Sequence, residues 1–268
     1  MRFKEKFYSF VLQRPRLYDT ARSIKRRIIR FDDPKYHFFN LFSAAHQGDV
    51  CFIQIGANDG LRHDPIREFI LRDRWHGVLV EPLPGIFDKL KRNYSAYPDL
   101  DLSFVNAAIS SELADEVHFW TFTQKFLSRF SSEKQLYYLR KASFSKEHVE
   151  QQLPDEYRNA ANLERIRIRT LTINQLAQEY LRNDPANLVV IDAEGHESEI
   201  IPTIDFHALN PEAVYYESHN LREERATIED FLKDKGYTIR NIGGDTVAVR
   251  NSHSSILSLP KNPLTDVR

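Results

Sequence analysis

Short apolar runs and amphipathic stretches alternate along the chain from residue 50 to residue 250. Apolar runs of about four to eight residues are typical of buried strands, and apolar residues three and four positions apart are typical of helices. The predicted strands of the main sheet lie at residues 50–55, 78–81, 102–106, 188–192 and 213–217, with a closing hairpin at 237–241 and 246–250. The predicted helices lie at residues 65–74, 85–94, 173–181 and 223–235. This order predicts a doubly wound, mostly parallel α/β fold.

A long polar segment at residues 125–164 interrupts this alternation. It is rich in Ser, Lys, Glu, Gln and Tyr, and it lies between a predicted edge strand or hairpin arm at 117–122 and a short predicted strand at 166–171. Structureless loops of this length are uncommon inside a domain, so we expect an inserted helical lid or substrate-recognition segment. A structural flap and an oligomer contact are the alternatives.

The first 49 residues form a basic arm that we expect to be helical and separate from a main domain at residues 50–250. Residues 1–31 carry ten Lys and Arg residues against Glu5 and Asp19, and their apolar positions predict two short amphipathic helices on either side of Pro15. A further helix is predicted at 35–47. The apolar stripes either pack on the main domain, dock on an anionic membrane surface, or contact a partner protein or an acidic substrate.

Composition narrows the classes of partner and compartment. A formal net charge of −1 gives no reason to expect a nucleic-acid partner, and a hydrophobic content of 41% is ordinary for a soluble protein. No apolar run approaches about 18 residues, and the basic start lacks the apolar core of a signal peptide, so we expect a cytoplasmic protein. Cys51 is the only cysteine and is expected in the core. The tail at residues 251–268 is expected to be loosely ordered, and the oligomeric state is left open.

The segment CFIQIGANDG at residues 51–60 combines a buried strand with a glycine turn, and the next strand ends in the acid of VLVEP. Gly56 ends the first strand and Gly60 lies just before the first helix. Glu81 follows about 20 residues later, at the position where an acid reaches ribose hydroxyls in nucleotide-binding βαβ units. The spacing G-x-x-x-G lacks the third glycine of a dinucleotide fingerprint. It favours S-adenosylmethionine over NAD, and an unoccupied α/β turn is the remaining alternative.

Five positions fall at or near the carboxyl ends of predicted parallel strands. Strand ends of this kind open on one edge of the sheet, so these positions should converge on one crevice. They are Gly56, Glu81, Asn106, Asp192 and Glu217. Asn106 either presents its amide near adenine or satisfies the backbone of its own turn.

The segment VVIDAEGHESEII places five titratable residues at the turn after one central strand. We assign Asp192 and Glu194 to the crevice, because acids at this edge of the sheet are candidate functional groups. Glu197 and Glu199 fall in the first turn of the following helix, where acids complement the helix dipole. His196 either caps that helix or takes part in the site.

His219 follows the next strand and is a candidate general base, because imidazole accepts a proton near neutral pH. Asp192, Glu217 and His219 are also a candidate ligand set for a divalent cation. Their spacing is not diagnostic of a metal site, so a metal is not favoured. A buried charge network that fixes the cleft is the third interpretation.

The segments IGANDG, VEPLPGIF, VNAAIS and IDAEGHE follow one another in a characteristic order and spacing. Together they resemble the FkbM family of S-adenosylmethionine-dependent methyltransferases, over roughly residues 50–250. The resemblance implies a seven-stranded class I methyltransferase fold, which is Rossmann-like. It also implies, most often, O-methylation of a sugar or another secondary-metabolite hydroxyl.

The same resemblance implies roles for single residues in binding the cofactor. Gly56, Asn58 and Gly60 would line its amino-acid end. Glu81 would bind the ribose, and Asn106 would lie near the adenine.

Asp192 and Glu194 would face the reacting end of the cofactor. One position departs from the family pattern, because Gln54 stands where many members have an acid before the glycine turn. Recognition of the cofactor's ammonium group is therefore expected to rely on Asp59 or on backbone carbonyls, beside Gln54.

The predicted reaction is in-line transfer of a methyl group from sulfonium to an acceptor oxygen, with Asp192 or His219 removing the hydroxyl proton and Glu194 beside them. The acceptor is expected to be a small molecule or a glycan. The alternative function is an inactive, methyltransferase-like scaffold that docks a membrane or a glycan-assembly partner through its basic arm.

Overall fold

The computed structural model describes residues 14–28, 33–181 and 185–257. Its strands are β1 (Cys51–Ile55), β2 (His76–Val80), β3 (Leu102–Val105), β4 (Ala108–Ile109), β5 (Ala114–Phe122), β6 (Leu163–Leu171), β7 (Leu188–Ile191), β8 (Ala213–Glu217), β9 (Tyr237–Ile242) and β10 (Asp245–Arg250). Its α-helices are α1 (Pro15–Ile28), α2 (Pro34–Ala45), α3 (Arg67–Asp73), α4 (Pro84–Tyr94), α5 (Gln124–Leu127), α6 (Ser132–Leu139), α7 (Lys146–Gln151), α8 (Ile173–Tyr180), α9 (Glu197–Ile200) and α10 (Glu224–Asp234).

Seven strands form the main sheet in the order β3-β2-β1-β7-β8-β10-β9. The first five strands in this order, β3-β2-β1-β7-β8, are parallel to one another. β10 is antiparallel to both of its neighbours, β8 and β9. The order reverses at β1, which pairs with β2 on one side and with β7 on the other. Ile55 is level with Val80 and with Ile191, so these three strands end together. The predicted doubly wound, mostly parallel, seven-stranded fold is confirmed.

Both faces of this sheet are buried, which explains why its strands are almost continuously apolar. Alternate residues of β1 point to opposite faces. Ile53 and Ile55 join one apolar cluster, which includes side chains of α8 and α10. Phe52 joins the other, which includes Phe39 of α2 and Trp75. Cys51 is buried, as predicted.

The inserted segment is built on a second, smaller sheet in the order β4-β6-β5. β5 and β6 are antiparallel, and the chain between them forms α5, α6 and α7, so the insert is the loop of a long hairpin. The predicted helices are present. The strand predicted at 166–171 begins earlier, at Leu163, because Leu163 and Glu164 already pair with the end of β5. Its apolar residues pack with those of β5 and α6 in a separate cluster.

The carboxyl-terminal segment differs from the expectation of a loose tail. Residues Asn251–Leu257 form a 3-10 helix, and Ile256 and Leu257 are buried in the apolar cluster that contains α2. Burial of these two side chains fixes the segment on the domain. Residues 258–268 lie outside the described residues.

Helix α1, the second of the two helices predicted in the basic arm, packs on the main domain. Arg67 is fully buried, and its Nε and Nη2 lie 2.9 Å from the two carboxylate oxygens of Asp19 on α1. Arg16 donates to the carbonyl oxygen of Ala96 at 2.6 Å. These contacts agree with the packing interpretation of the arm. Its first predicted helix lies outside the described residues, and the membrane contact stays a prediction.

Within the described ranges, no helix combines the length and the apolar character that crossing a membrane requires.

Replacement of Arg67 by Met should lower the free energy of unfolding by about 3 kcal/mol, because within the described residues it leaves the Asp19 carboxylate without its cationic partner, with only the Tyr97 hydroxyl donating to it. Urea denaturation of the full chain measures this difference. Arg158→Met is the matched control, because Arg158 and Asp155 form an exposed pair and should contribute less than about 1 kcal/mol. Equal losses in the two variants would show that the arm is not anchored through Arg67.

Candidate active site

A cavity of about 620 Å³ lies at the carboxyl ends of β1, β2, β7 and β8. Its other walls come from α1, the start of α2 and the insert. Four of the five predicted strand-end positions line it, namely Gly56, Glu81, Asp192 and Glu217. The cavity is therefore the crevice that the sheet topology predicts.

Gly56 forms the floor of the cavity where β1 and β7 separate. Its φ is +74°, and a Cβ at this position would lie 1.8 Å from the carbonyl oxygen of Asp192. No other residue fits there without displacing the backbone of the turn after β7. The glycine thus joins the two halves of the site.

Gly60, which the family resemblance places at the amino-acid end of the cofactor, packs against a helix. It does not line the cavity. Its φ is +62°, and a Cβ would lie 2.4 Å from Leu90 Cδ1 and 2.7 Å from Tyr94 Cε2, both on α4. This glycine lets the turn pack closely on a helix instead of approaching a ligand.

Glu81 is held at the end of β2 by two backbone donors. The N–H of Asn58 donates to Oε2 at 3.0 Å and the N–H of Leu83 to Oε1 at 2.9 Å. Burial raises the pKa of Glu81 to about 7. Each carboxylate oxygen accepts more than one hydrogen bond, so both remain able to accept from a ligand. The fixed carboxylate suits two adjacent hydroxyl groups.

Asp59 and Asn106 do not line the cavity. Asp59 is buried, and its Oδ1 accepts the N–H groups of Leu61 at 3.1 Å and Arg62 at 3.0 Å, so it shapes the glycine turn. The Asn106 amide donates to the carbonyl oxygens of Glu81 at 2.8 Å and Pro82. Both side chains therefore support the loops that carry Asn58 and Glu81.

Gln54 lines the cavity and is buried at the end of β1. Its Oε1 has no hydrogen-bond partner within the described residues. A buried amide oxygen without a donor is costly, so this atom is a candidate acceptor for a bound cationic or hydroxyl group. It can take the role that the sequence assigned to Asp59.

Three carboxylates meet on the opposite side of the cavity. Oxygen atoms of Asp192, Glu194 and Glu217 lie within 4.8 Å of one another. The Nζ atom of Lys141 lies 2.7 and 2.8 Å from the two oxygens of Glu194, and the Asn220 amide donates to Glu217 at 2.6 Å. The insert therefore supplies a cation to the group of acids.

This arrangement changes the acidity of two of these groups. Asp192 is exposed to the cavity, but it is enclosed by the protein on its other sides. That enclosure and the charges of Glu217 and Glu194 raise the pKa of Asp192 well above its usual range. Burial and the neighbouring acids raise the pKa of Glu217 to about 8. Despite burial, Glu194 raises the pKa of Lys141, so the ammonium form is favoured.

His219 lines the cavity beside this group, with its side chain 53% exposed and its Nδ1 3.4 Å from Glu217 Oε1. His196 instead lies 3.2 Å from the Ser110 hydroxyl, through its Nε2, and packs on Phe144. Burial lowers the pKa of His196. Of the two histidines, His219 is the one placed to exchange protons with a ligand.

Glu197 does more than complement a helix dipole. Its carboxylate is fully buried and accepts the N–H groups of Ala193 at 2.7 Å and Gly195 at 3.0 Å. Burial raises the pKa of Glu197 to about 8. Glu197 therefore fixes the loop on which Glu194 has a left-handed φ of 51°. Glu199 is exposed, as expected of an acid on the helix surface.

Lys141 could not be predicted as part of the site from the sequence. It lies 53 positions before Glu194, in a segment without a motif, and only the folded hairpin brings the two together. His148, also in the insert, places its Nε2 3.3 Å from the same carboxylate. A buried acid after a central strand does not by itself indicate which donor or cation accompanies it.

A divalent cation has three oxygen donors available in this group, from Asp192, Glu194 and Glu217. The set differs from the one considered from the sequence, because Glu194 takes the place of His219. Carboxylate oxygens suit Mg²⁺ or Mn²⁺. However, Lys141 already pairs with both oxygens of Glu194. Its ammonium group therefore neutralises part of the negative charge of the three carboxylates that a metal ion would otherwise neutralise.

Replacement of Glu217 by Gln should flatten the pH dependence of stability. The folded protein keeps a proton on Glu217 up to about pH 8, whereas the unfolded chain releases it near its ordinary value of 4.5. The free energy of unfolding of the wild type should therefore fall as the pH rises through this window. In Glu217→Gln this fall should be smaller than in the wild type by at least about 1.4 kcal/mol, the equivalent of one pKa unit.

Chemical denaturation at about pH 5 and pH 8 tests this expectation. Glu116→Gln serves as the control, because Glu116 is 62% exposed and remote from the cavity lining. The same slope in wild type and Glu217→Gln would show that the carboxylate ionises normally.

Comparisons with known proteins identify the family of the main domain. The Methyltransferase FkbM domain matches residues 54–239. Among solved structures, the chain is similar to a methyltransferase FkbM from Methylobacillus flagellatus KT, with 11% identity and a TM-score of 0.43. It is also similar to a precorrin-6y C5,15-methyltransferase from Geobacter metallireducens GS-15, with 13% identity and a TM-score of 0.37.

The aligned regions cover 75% of this chain in both structural comparisons, 44% of the Methylobacillus chain and 80% of the Geobacter chain. The chain thus spans less than half the length of the Methylobacillus protein. The search of curated proteins found no match. Both TM-scores lie below 0.5, so the fold assignment rests on the sheet topology and the family on the domain match. That match covers more than half of the sequence, and the chain belongs to the FkbM methyltransferase domain family.

Proposed function

We propose that this protein transfers a methyl group from S-adenosylmethionine to a hydroxyl oxygen of a sugar, a glycan or another secondary metabolite. One observation carries the proposal: the Gly56 turn, the Glu81 carboxylate and the Asp192 carboxylate line a single cavity. A site suited to ribose and a proton acceptor therefore face the same space. Membership of the FkbM family supports the choice of the transferred group.

The residues at the cavity fit this cofactor. Glu81 offers two oxygens to adjacent ribose hydroxyls and is already oriented by backbone donors. Gln54 Oε1 is a buried acceptor without a partner in the described residues, which suits an ammonium group. The bare backbone at Gly56 allows close approach of a ligand. When bound, S-adenosylmethionine supplies a methyl group on a positively charged sulfur.

Asp192 is our candidate to take the proton of the acceptor hydroxyl. It faces the cavity, and a carboxylate whose pKa is raised is a stronger base than an ordinary one. A proton on Asp192 also removes one of three negative charges that lie close together, which makes its uptake favourable. His219 is the second candidate, and its exposure allows exchange of that proton with solvent.

Lys141 and Asn220 hold the carboxylates around this base. Lys141 fixes Glu194, and Asn220 donates to Glu217, so neither acid is free to rotate toward the other. Orientation of this kind matters, because a displaced base loses reach to the hydroxyl proton. The apolar side chains of Phe119 and Phe144 line the cavity on the insert side and limit its water content.

Wild-type protein should bind S-adenosylhomocysteine with micromolar affinity in a calorimetric titration. Glu81→Gln should weaken this binding at least about tenfold, because one hydrogen-bond acceptor becomes a donor. Glu116→Gln, on an exposed residue, should leave it unchanged. No binding by folded wild-type protein would overturn the proposal and favour the non-catalytic scaffold.

Asp192→Asn should lower kcat by at least about 100-fold on an acceptor identified by screening, because the amide cannot accept the proton. The wild-type rate should rise with pH until Asp192 is ionised, and this rise should be missing in the variant. Steady-state kinetics across pH measure both effects, with Glu199→Gln as the control on the same segment. If Asp192→Asn and His219→Ala both keep full turnover, the base lies elsewhere.

A further inference from the structure

A side compartment of about 390 Å³ adjoins the main cavity, and residues of helix α6 form part of its wall. Four residues line both spaces: Arg62, His63, Tyr137 and Arg140. The two spaces are therefore neighbours, and the side chains of Arg62 and Arg140 border both of them.

The compartment is predominantly basic. Arg62 and Arg140 stand on its wall with Lys134, and Glu133 is the acid among its lining residues. Lys134 lies over the ring of Tyr137, with Nζ 4.1 Å from the ring centroid, so an aromatic face borders the cations. Burial and the charges of Arg140 and Arg22 lower the pKa of His63, which shows how closely these guanidinium groups surround it.

Two guanidinium nitrogens, one in the compartment and one in the adjoining cavity, lack hydrogen-bond partners in the part of the chain that the structure describes. The Nε of Arg140 is buried and has no hydrogen-bond partner within the described residues, although its Nη2 donates to the carbonyl oxygen of Arg62. The Nη1 of Arg22, on the adjoining wall of the main cavity, is likewise buried and unpaired among those residues. No ion pair between described residues engages the Arg62 side chain. Buried charged donors without acceptors are costly, and an oxyanion would satisfy them.

We propose that this compartment binds an anionic group of the acceptor, a phosphate or a carboxylate, while the hydroxyl to be methylated lies near Asp192. Guanidinium groups recognise both oxyanions through paired N–H donors. The proposed acceptor is therefore an acidic molecule that carries both a hydroxyl group and an oxyanion, such as a sugar phosphate or a sugar acid. This inference rests on the proposed methyltransferase function, because it assigns the second substrate to the same cavity.

Calorimetric titration of the full chain tests the proposal, with and without saturating S-adenosylhomocysteine. The probes are inorganic phosphate, glucose 1-phosphate, glucuronate and, as the uncharged control, glucose. We expect glucose 1-phosphate or glucuronate to bind with S-adenosylhomocysteine present and glucose to bind at least about tenfold more weakly. The stronger of the two charged probes identifies phosphate or carboxylate as the preferred group.

Arg62→Gln should weaken binding of the charged probe about tenfold and leave the affinity for S-adenosylhomocysteine unchanged. Arg140→Gln, as the second variant, should do the same, and thermal unfolding verifies that each variant is folded. Arg167→Gln is the matched control, because Arg167 is 68% exposed and does not line either space.

Three results would overturn the inference. They are no anion binding by the wild type, the same anion affinity in the wild type and in both arginine variants, or a loss of S-adenosylhomocysteine affinity in these variants that equals their loss of anion affinity. The last would assign the arginines to the cofactor's own carboxylate. Anion binding without S-adenosylhomocysteine binding would instead overturn the proposed function and leave an anion site in a protein of another activity.

Discussion

The close approach of two backbone segments at Gly56 is the constraint on which the rest of the site depends. A Cβ there would lie 1.8 Å from the carbonyl oxygen of Asp192, so β1 and β7 end in contact and then diverge. This divergence opens the cavity at the point where the strand order reverses. It also places the Asp192 side chain across the same floor from Gln54 and Glu81. A larger residue at 56 would displace Asp192 relative to Gln54 and Glu81, whatever the chemistry of the new side chain.

The sheet could be predicted from the sequence because both of its faces are covered. Strands such as β7 are uninterrupted apolar runs bounded by polar residues, and their ends were placed within about two residues. The two long strands of the second sheet were predicted in part, but their pairing could not be, since β5 and β6 are separated by the 40 residues of the insert. Pairing at that separation depends on how the insert folds, which local patterns do not encode.

The residues of the candidate site also fall into two groups, those that could be predicted from the sequence and those that could not. Residues at strand ends, such as Glu81 and Asp192, could be identified because topology alone brings them together. Gly60 and Asp59 lie outside the cavity lining, and the sequence could not show this, because glycines and aspartates in tight turns serve packing and backbone hydrogen bonds as often as ligands. Lys141 carries no local signal at all. The insert supplies one wall of the cavity, and it is the part that sequence patterns describe least.

The three carboxylates at the edge of the sheet link the sheet to the insert through their charge. Asp192, Glu194 and Glu217 would repel one another if all were ionised without a counter-charge. Lys141 offsets part of this repulsion, and protonation of Asp192 or Glu217 offsets more. Removing the insert would therefore raise the proton affinity of the acids further, so that fewer were ionised near neutral pH. Ionisation of these acids therefore depends on the nearby cation, and the segment that lines one side of the cavity also supplies that cation.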